Sequence, residues 1–457
     1  METIQKDVVI IGAGLTGLTL AFYLKKAGLS IAVIEKADRT GGVIQSHFEE
    51  GFLFESGPNT GVLSYPEIVE LFDELAPEAE LITADPEAKR RLIWKGTKWH
   101  AIPSGPISAI TTPLFTFGDK LRVLGEPWRK PGTNPMENLS DFVKRRLGKS
   151  FLDYVVDPFV SGVYAGNTDY LIPKYALPKL YNLEQQYGSF IKGSMAKAKE
   201  KKNNPRLQKA TKEVFSAKNG LQQLTDALTQ HIGLENIYLK CDETSINPFE
   251  NRYLSTTNQN GKTISFHSNK VVTTVGAYGL PQLLPFVESK QLEPITQLKY
   301  AKVIQAVAGY KKWTGVDIKA FGGQVPSKEN KKILGVLFTS SFFKGRAPEG
   351  GALLSVFLGG IRHPEQIEMT DDELTEMLKK VLPPMMGLDF FTPDLLKIFR
   401  YPYAIPQYGA DSKERIETIE YLQTQYPGLI LAGGIRNGIG MADRIKQART
   451  IADQIIL

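Results

Sequence analysis

One cysteine, Cys241, stands in 457 residues. An intrachain disulfide, a redox dithiol and a cysteine-ligated metal site are thereby excluded. The five histidines (His47, His100, His231, His267, His363) are scattered without ligand spacing, so no metal is expected. No apolar run approaches the ~20 residues of a membrane span. Repeats and low-complexity tracts are absent. Charge is close to balance, 55 basic against 49 acidic side chains. The net +6 favours anionic partners such as carboxylates or lipid headgroups and is too weak for nucleic acid. Residues 1–6 are polar and an apolar strand starts at Asp7, which leaves no room for a signal or transit peptide. A cytoplasmic protein, or one peripheral to the inner face of the cell membrane, is expected.

What is present is concentrated in residues 6–36. Asp7-Val8-Val9-Ile10-Ile11 reads as a buried parallel strand. It breaks into Gly12-Ala13-Gly14-Leu15-Thr16-Gly17, a complete G-x-G-x-x-G, followed by helical spacing up to Gly28. Ile31-Ala32-Val33-Ile34 is a second strand, ending in Glu35 and Lys36. Strand, glycine turn, helix, strand and acid in this order form a dinucleotide site. Gly12 allows the turn, Gly14 the approach of a pyrophosphate, and Gly17 the packing of helix on strand. The helix start at Leu15 and Thr16 offers free N–H groups to phosphate, and Glu35 accepts from a ribose diol.

Arg39-Thr40-Gly41-Gly42 then suits a second backbone pass beside the phosphates, and Glu55-Ser56-Gly57-Pro58-Asn59 follows. Together these stretches resemble the FAD-dependent amine-oxidase and porphyrinogen-oxidase superfamily, so FAD is the expected cofactor. In that family Arg is frequent where this chain has Val43.

Farther along, residues 60–82 look helical, and residues 89–103 read as a hairpin with Gly96 in the turn and Trp94 and Trp99 on its strands. Residues 103–128 are rich in Pro, Phe, Leu and Ile. They read as buried helices around a pocket; the alternative is a face that dips into a bilayer with Lys120, Arg122, Arg129 and Lys130 at the headgroups. Residues 142–163 read as one helix, and 192–218 as a basic, solvated helix face. Another α/β stretch opens near Gly220, with Asn260-Gly261 as a hairpin turn. Three strands between 300 and 360 suit an antiparallel sheet over a pocket. Leu429-Ile430-Leu431-Ala432, Gly433-Gly434 and a helix from Met441 to Ile456 end the chain. That last helix start can face the negative end of a reduced flavin, which makes Gly434, Ile439, Gly440 and Met441 candidate cofactor contacts.

The segment Gly162-Val163-Tyr164-Ala165-Gly166-Asn167, the stretch from Phe321 through Ser327, Leu334 through Phe338, Phe357 through Gly360 and Tyr403 through Tyr408 make the resemblance to the protoporphyrinogen oxidase family specific. It implies an α/β chain of three parts. A Rossmann-like FAD-binding domain is assembled from residues 1–81, 219–293 and 415–457. An antiparallel-sheet substrate domain takes 82–90, 197–218 and 294–414. A mainly helical, membrane-associating domain takes 91–196. The resemblance makes Arg91 the cation for a tetrapyrrole propionate, with Leu337 and Phe357 flanking the macrocycle. Gly162 and Gly322 leave room and carbonyls near the reacting ring. At Gln324 family members often have leucine, so that wall differs here.

The implied reaction is porphyrinogen oxidation with O2 as acceptor, and no side chain stands out as a general base. Protoporphyrinogen IX is the expected substrate. Coproporphyrinogen III, another flavoenzyme reaction of the superfamily, and a non-catalytic tetrapyrrole carrier are the alternatives. A homodimer is compatible with the sequence.

Overall fold

In the computed structural model, which describes residues 3–457, the two largest sheets have seven strands each. Residues 1 and 2, part of the stretch read as free of any address, lie outside the described residues. The first sheet has a parallel core in the order Ile237–Tyr238, Ile31–Ile34, Thr3–Ile11, Lys262–Thr273 and Leu429–Leu431. Lys262–Thr273 is long enough to serve two neighbours. Its first half pairs antiparallel with Arg252–Gln259 through the Asn260-Gly261 turn, and its second half pairs with Leu429–Leu431.

Side chains alternate across this sheet, as a strand buried on both faces requires. Val8, Ile10 and Val33 meet the helices Leu15–Lys26, Gln222–Ile232 and Met441–Ile456. Val9, Ile11 and Ala32 meet Ser289–Thr296 and Ser412–Gln425 on the other side. Between residues 60 and 82 only Pro66–Glu74 is helical, with short strands at Gly61–Val62 and Leu81–Thr83 on either side.

The second sheet runs Leu395–Pro406, Tyr300–Tyr310, Ala352–Gly359, Gly335–Leu337, Gly322–Gln324, Arg91–Lys95 and Lys98–Ala101. The hairpin with Gly96 in its turn and Trp94 opposite Trp99 forms as expected. Its first strand pairs with Gly322–Gln324, so it belongs with the sheet and not with the helices that follow. One face of this sheet, with Ala306, Val336 and Val356, is closed by the helix Asp371–Met386 through Leu374, Leu378 and Leu382.

The helical part departs from expectation twice. Residues 142–163 are not one helix: Leu139–Arg146 stops before Gly148, which sits at φ +95, and the chain resumes through a π-helical turn into Asp157–Tyr164. Residues 103–128 do not bury their apolar side chains. Leu114 packs against Ile93 and Tyr154, but Ile107 is 80% exposed, Phe117 75% and Trp128 82%, with Ile110, Leu121 and Leu124 also more than half exposed.

The cations expected beside those side chains are largely engaged. Lys120 Nζ donates to the carbonyls of Ile110 and Thr112, Arg122 to Lys144 O, and Arg129 to Arg146 O. Beneath them Glu126 and Arg146 form a fully buried ion pair. Glu126 also accepts from Ser189 Oγ at 2.6 Å and Phe190 N at 2.9 Å, at the start of the helix Phe190–Lys202.

Candidate functional site

The glycine loop has the form a dinucleotide needs. Gly12, at φ +102, turns the chain from the first strand toward the helix. A Cβ on Gly17 would come within 1.9 Å of Gly12 O, so no side chain fits there. A Cβ on Gly14 would meet nothing within 4 Å: the loop is open on the side where a pyrophosphate would lie. The helix starting at Leu15 has no side-chain cap, which leaves its first N–H groups for an anion. Thr16 is buried in the first turn.

Glu35 is held beside this loop. Its Oε2 accepts from Ala13 N at 2.7 Å and its Oε1 from Ala37 N at 2.8 Å. Lys36 is exposed, on the rim of an open groove of about 570 Å³ lined also by Asp38, Lys240 and Asn260.

The second backbone pass exists. Gly41 N donates to Ala13 O at 2.8 Å, Gly14 and Gly41 form a parallel bridge, and a Cβ on Gly42 would stand 3.2 Å from Gly14 Cα. Arg39 shapes this pass, donating to the carbonyls of Thr40, Gly42 and Ile44. Gly57, at φ +117, packs so tightly that a Cβ would lie 2.2 Å from Val43 O; Pro58 is half-buried beside it. The Asn59 side chain turns inward, donating to Gly57 O at 2.9 Å and accepting from Ser355 Oγ at 2.7 Å.

At the C-terminal end the turn before Met441–Ile456 is braced from two sides. Tyr408 OH lies 3.2 Å from the carbonyls of Gly434 and Gly438. Arg444 donates to Arg436 O, Asn437 O and Gly438 O, each at 2.9 Å. Gly440 N is capped by Asp443, Ile439 packs toward the helical part, and Met441 is buried. The donors, the uncapped helix start and the space over Gly14 fit a dinucleotide cofactor: Gly14, Leu15, Thr16 and Glu35 would hold it.

The substrate candidates converge by register. Directly opposed residues share a face of a sheet. Arg91 pairs with Gly322, Gly322 with Leu337, and Leu337 with Ser355. The adjacent row runs Ile93, Gln324, Gly335, Phe357, Gln305. Arg91, Gly322, Leu337 and Phe357 therefore occupy one face, opposite the one covered by Asp371–Met386. Gly162, in the helix Asp157–Tyr164, reaches the same face, where it abuts Gln324.

Arg91 is exposed, without a carboxylate partner among the described residues, and its guanidinium lies 5.4 Å from the centre of the Phe321 ring. Its neighbour Arg90 is instead tied to Asp317 and Lys319 O. Leu337 and Phe357 are half-buried, each at the edge of a different apolar cluster. Ser355 and Gln305 join this face to the turn at Gly57 and Asn59.

Gln305, Ser355 and Arg444 escaped the sequence reading as site residues, and Tyr408 entered it only within a family motif. A signal existed for Gln305, a lone amide inside an apolar strand, because a buried polar group must find partners. Arg444 gave none, since a basic residue in the first turns of an amphipathic helix is unremarkable.

Comparisons with known proteins agree with this geometry. The family described as flavin containing amine oxidoreductase matches residues 15–456. A mitochondrial protoporphyrinogen oxidase of Nicotiana tabacum is 30% identical over 492 residues, 99% of this chain and 95% of that one. A coproporphyrinogen III oxidase of Bacillus subtilis (strain 168) is 25% identical, covering 97% of both chains. Among solved structures, a chain from Exiguobacterium sp. 255-15 described as a protoporphyrinogen oxidase superposes with a TM-score of 0.81 at 24% identity, over 100% of this chain and 99% of that one. With the helix that follows the glycine loop, the second pass and the C-terminal turn all inside the matched span, the chain belongs to the flavin-containing amine oxidoreductase family, as an oxidoreductase whose cofactor is FAD.

Proposed function

We propose that this protein oxidises protoporphyrinogen IX to protoporphyrin IX in haem biosynthesis, in three two-electron rounds with O2 as acceptor and H2O2 released. The observation that carries the reading is the row Arg91, Gly322, Leu337, Ser355. Three strand spacings separate its ends, about 14 Å. One end is a guanidinium with no carboxylate partner among the described residues, the other is tied to the turn at Asn59. A flat apolar ring system with a carboxylate arm spans such a row, arm on Arg91 and ring over Leu337 and Phe357.

FAD, when bound, supplies the hydride acceptor. The chain's own work is binding and orientation. Arg91 fixes a propionate through paired hydrogen bonds. Leu337 and Phe357 give the ring apolar contact and keep water from it. No side chain is assigned as a base, since aromatisation drives the loss of the N–H protons.

The names of the plant relatives support protoporphyrinogen. The Bacillus relative's name and a polar Gln324 in the wall favour a second reading, coproporphyrinogen III. Porphyrin fluorescence after mixing FAD-loaded protein with each porphyrinogen in air, against a no-enzyme blank, decides between them. No rate above the blank with either would sink both.

The exposed apolar face of residues 107–128 we read as a seat on a bilayer surface. We read that contact as peripheral; no helix among the described residues is long and apolar enough to cross a membrane.

A further inference from the structure

Gln305 lies between Ile304 and Ala306 in the strand Tyr300–Tyr310 and is 1% exposed. Both ends of its carboxamide leave the sheet. Oε1 accepts from Gly57 N at 3.0 Å, and Nε2 donates to Glu55 O at 2.8 Å. On the neighbouring strand Ser355, 3.4 Å from the same Nε2, donates to Asn59 Oδ1, and Asn59 closes back onto Gly57 O. Two side chains of the substrate sheet thus grip both sides of one turn. The contact is made by directional bonds, which hold a separation within a few tenths of an ångström.

The turn is itself in series with the cofactor loop. A Cβ on Gly57 would collide with Val43 O, one on Gly42 would press on Gly14, and Gly41 is bonded to Ala13. No slack remains between Gln305 and the glycine loop.

We propose that Gln305, assisted by Ser355, is a positioning residue: it fixes the spacing between the turn bordering the flavin and the sheet face that carries the substrate. This rests on reading that face as the substrate wall. Transfer between two bound groups is steep in their separation, a 1 Å misplacement costing roughly 100-fold.

The test uses FAD-loaded wild type, Gln305→Leu and Ser355→Ala. The measurements are FAD content, the visible circular dichroism of the bound flavin, KM for protoporphyrinogen IX and coproporphyrinogen III, and the anaerobic rate of flavin reduction by each. Gln305→Leu is expected to keep its FAD and a KM within about 3-fold of wild type, to alter the flavin dichroism, and to reduce at least ~10-fold more slowly. Ser355→Ala, which leaves the Gln305 bonds to Gly57 N and Glu55 O intact, is expected to slow reduction by a smaller factor. Reduction at the wild-type rate in both variants overturns the proposal. So does loss of FAD or of folding in Gln305→Leu beside unimpaired reduction in Ser355→Ala, since Gln305 is then merely structural. If wild type reduces with neither porphyrinogen, the functional reading has failed separately. The flavin dichroism then decides, and an unchanged spectrum in Gln305→Leu overturns the positioning role.

Discussion

The carboxamide of Gln324 lies where a side chain on Gly162 would have to go: a Cβ built on Gly162 comes within 2.6 Å of Nε2. The glycine therefore makes room for a protein side chain on the substrate face, where the sequence reading gave that room to the reacting ring. Gly162→Ala is expected to leave stability within about 1 kcal/mol, since helix propensity favours alanine and the obstructing group is the mobile end of Gln324. Activity falls, because the displaced amide swings toward the substrate row. Gly162→Ala with Gln324→Ala recovers most of it. A double-mutant cycle on kcat/KM with no coupling between the two sites would refute the relationship.

Arg91 is the guanidinium at the end of that row, lying over the Phe321 ring with no carboxylate partner among the described residues. Arg91→Ala is expected to raise KM by ~10–100-fold with little change in kcat, the loss of about 1.5–3 kcal/mol for a hydrogen bond to a charged group. Arg91→Lys keeps the charge but loses the planar fork, and should fall between. Steady-state kinetics on all three proteins check this, and a kcat loss at unchanged KM would assign Arg91 elsewhere.

The Glu126–Arg146 pair predicts a pH dependence. Burial works against ionisation of Glu126, but the donors Ser189, Phe190, Arg146 and Ile191 outweigh it and hold the carboxyl below the usual carboxylate range. An acid depressed in the folded state contributes stability above its unfolded value, about 4.3, and loses that contribution as pH falls through the folded value. Glu126→Gln should unfold with a shallower acid dependence, and Arg146→Met should cost about 3–5 kcal/mol at neutral pH by stranding Glu126. Denaturant midpoints at pH 7 and near 4 give both numbers.

For the apolar face, the engaged cations set the expectation. With Lys120, Arg122 and Arg129 bonded to backbone carbonyls, adsorption to vesicles should rest on apolar burial, about 1.5–3 kcal/mol per large side chain. It should persist on neutral lipid and at high salt, the hydrogen-bonded cations, which keep their charge, adding only a smaller salt-screened part on anionic lipid. Leu121→Asp with Trp128→Asp should abolish co-sedimentation; strong salt dependence would show that free cations such as Lys130 do the binding instead.

The elements that were legible are those in which local and global preference agree. Ile31–Ile34 and Met441–Ile456 fall where their patterns put them, and the Trp94–Trp99 hairpin closes on Gly96. Residues 103–128 show the limit. Composition says that a segment is apolar, not whether the protein has anything to cover it, and here nothing among the described residues does. The break at Gly148 was hidden for a related reason: a glycine inside a helical pattern is tolerated, so only its φ of +95 reveals the stop. Gln305 was passed over because apolar strands dominate a reading by periodicity, although its polarity is what ties its sheet to the turn at Glu55 and Gly57.

The strand order of the nucleotide sheet has a kinetic consequence. Thr3–Ile11 leaves the ribosome well ahead of one of its neighbours, Lys262–Thr273, which lies more than half of this sequence downstream, and that strand's other partner, Leu429–Leu431, emerges later still. At about 5–20 residues per second the apolar first strand waits tens of seconds for its full set of neighbours. High contact order of this kind makes folding slow and leaves an aggregation-prone edge open meanwhile. The Gly433–Met441 turn and its helix follow the glycine loop by most of this sequence, so the cofactor site stays incomplete until that late segment has been made. A nascent chain therefore carries its glycine loop well before it can close the site around a cofactor.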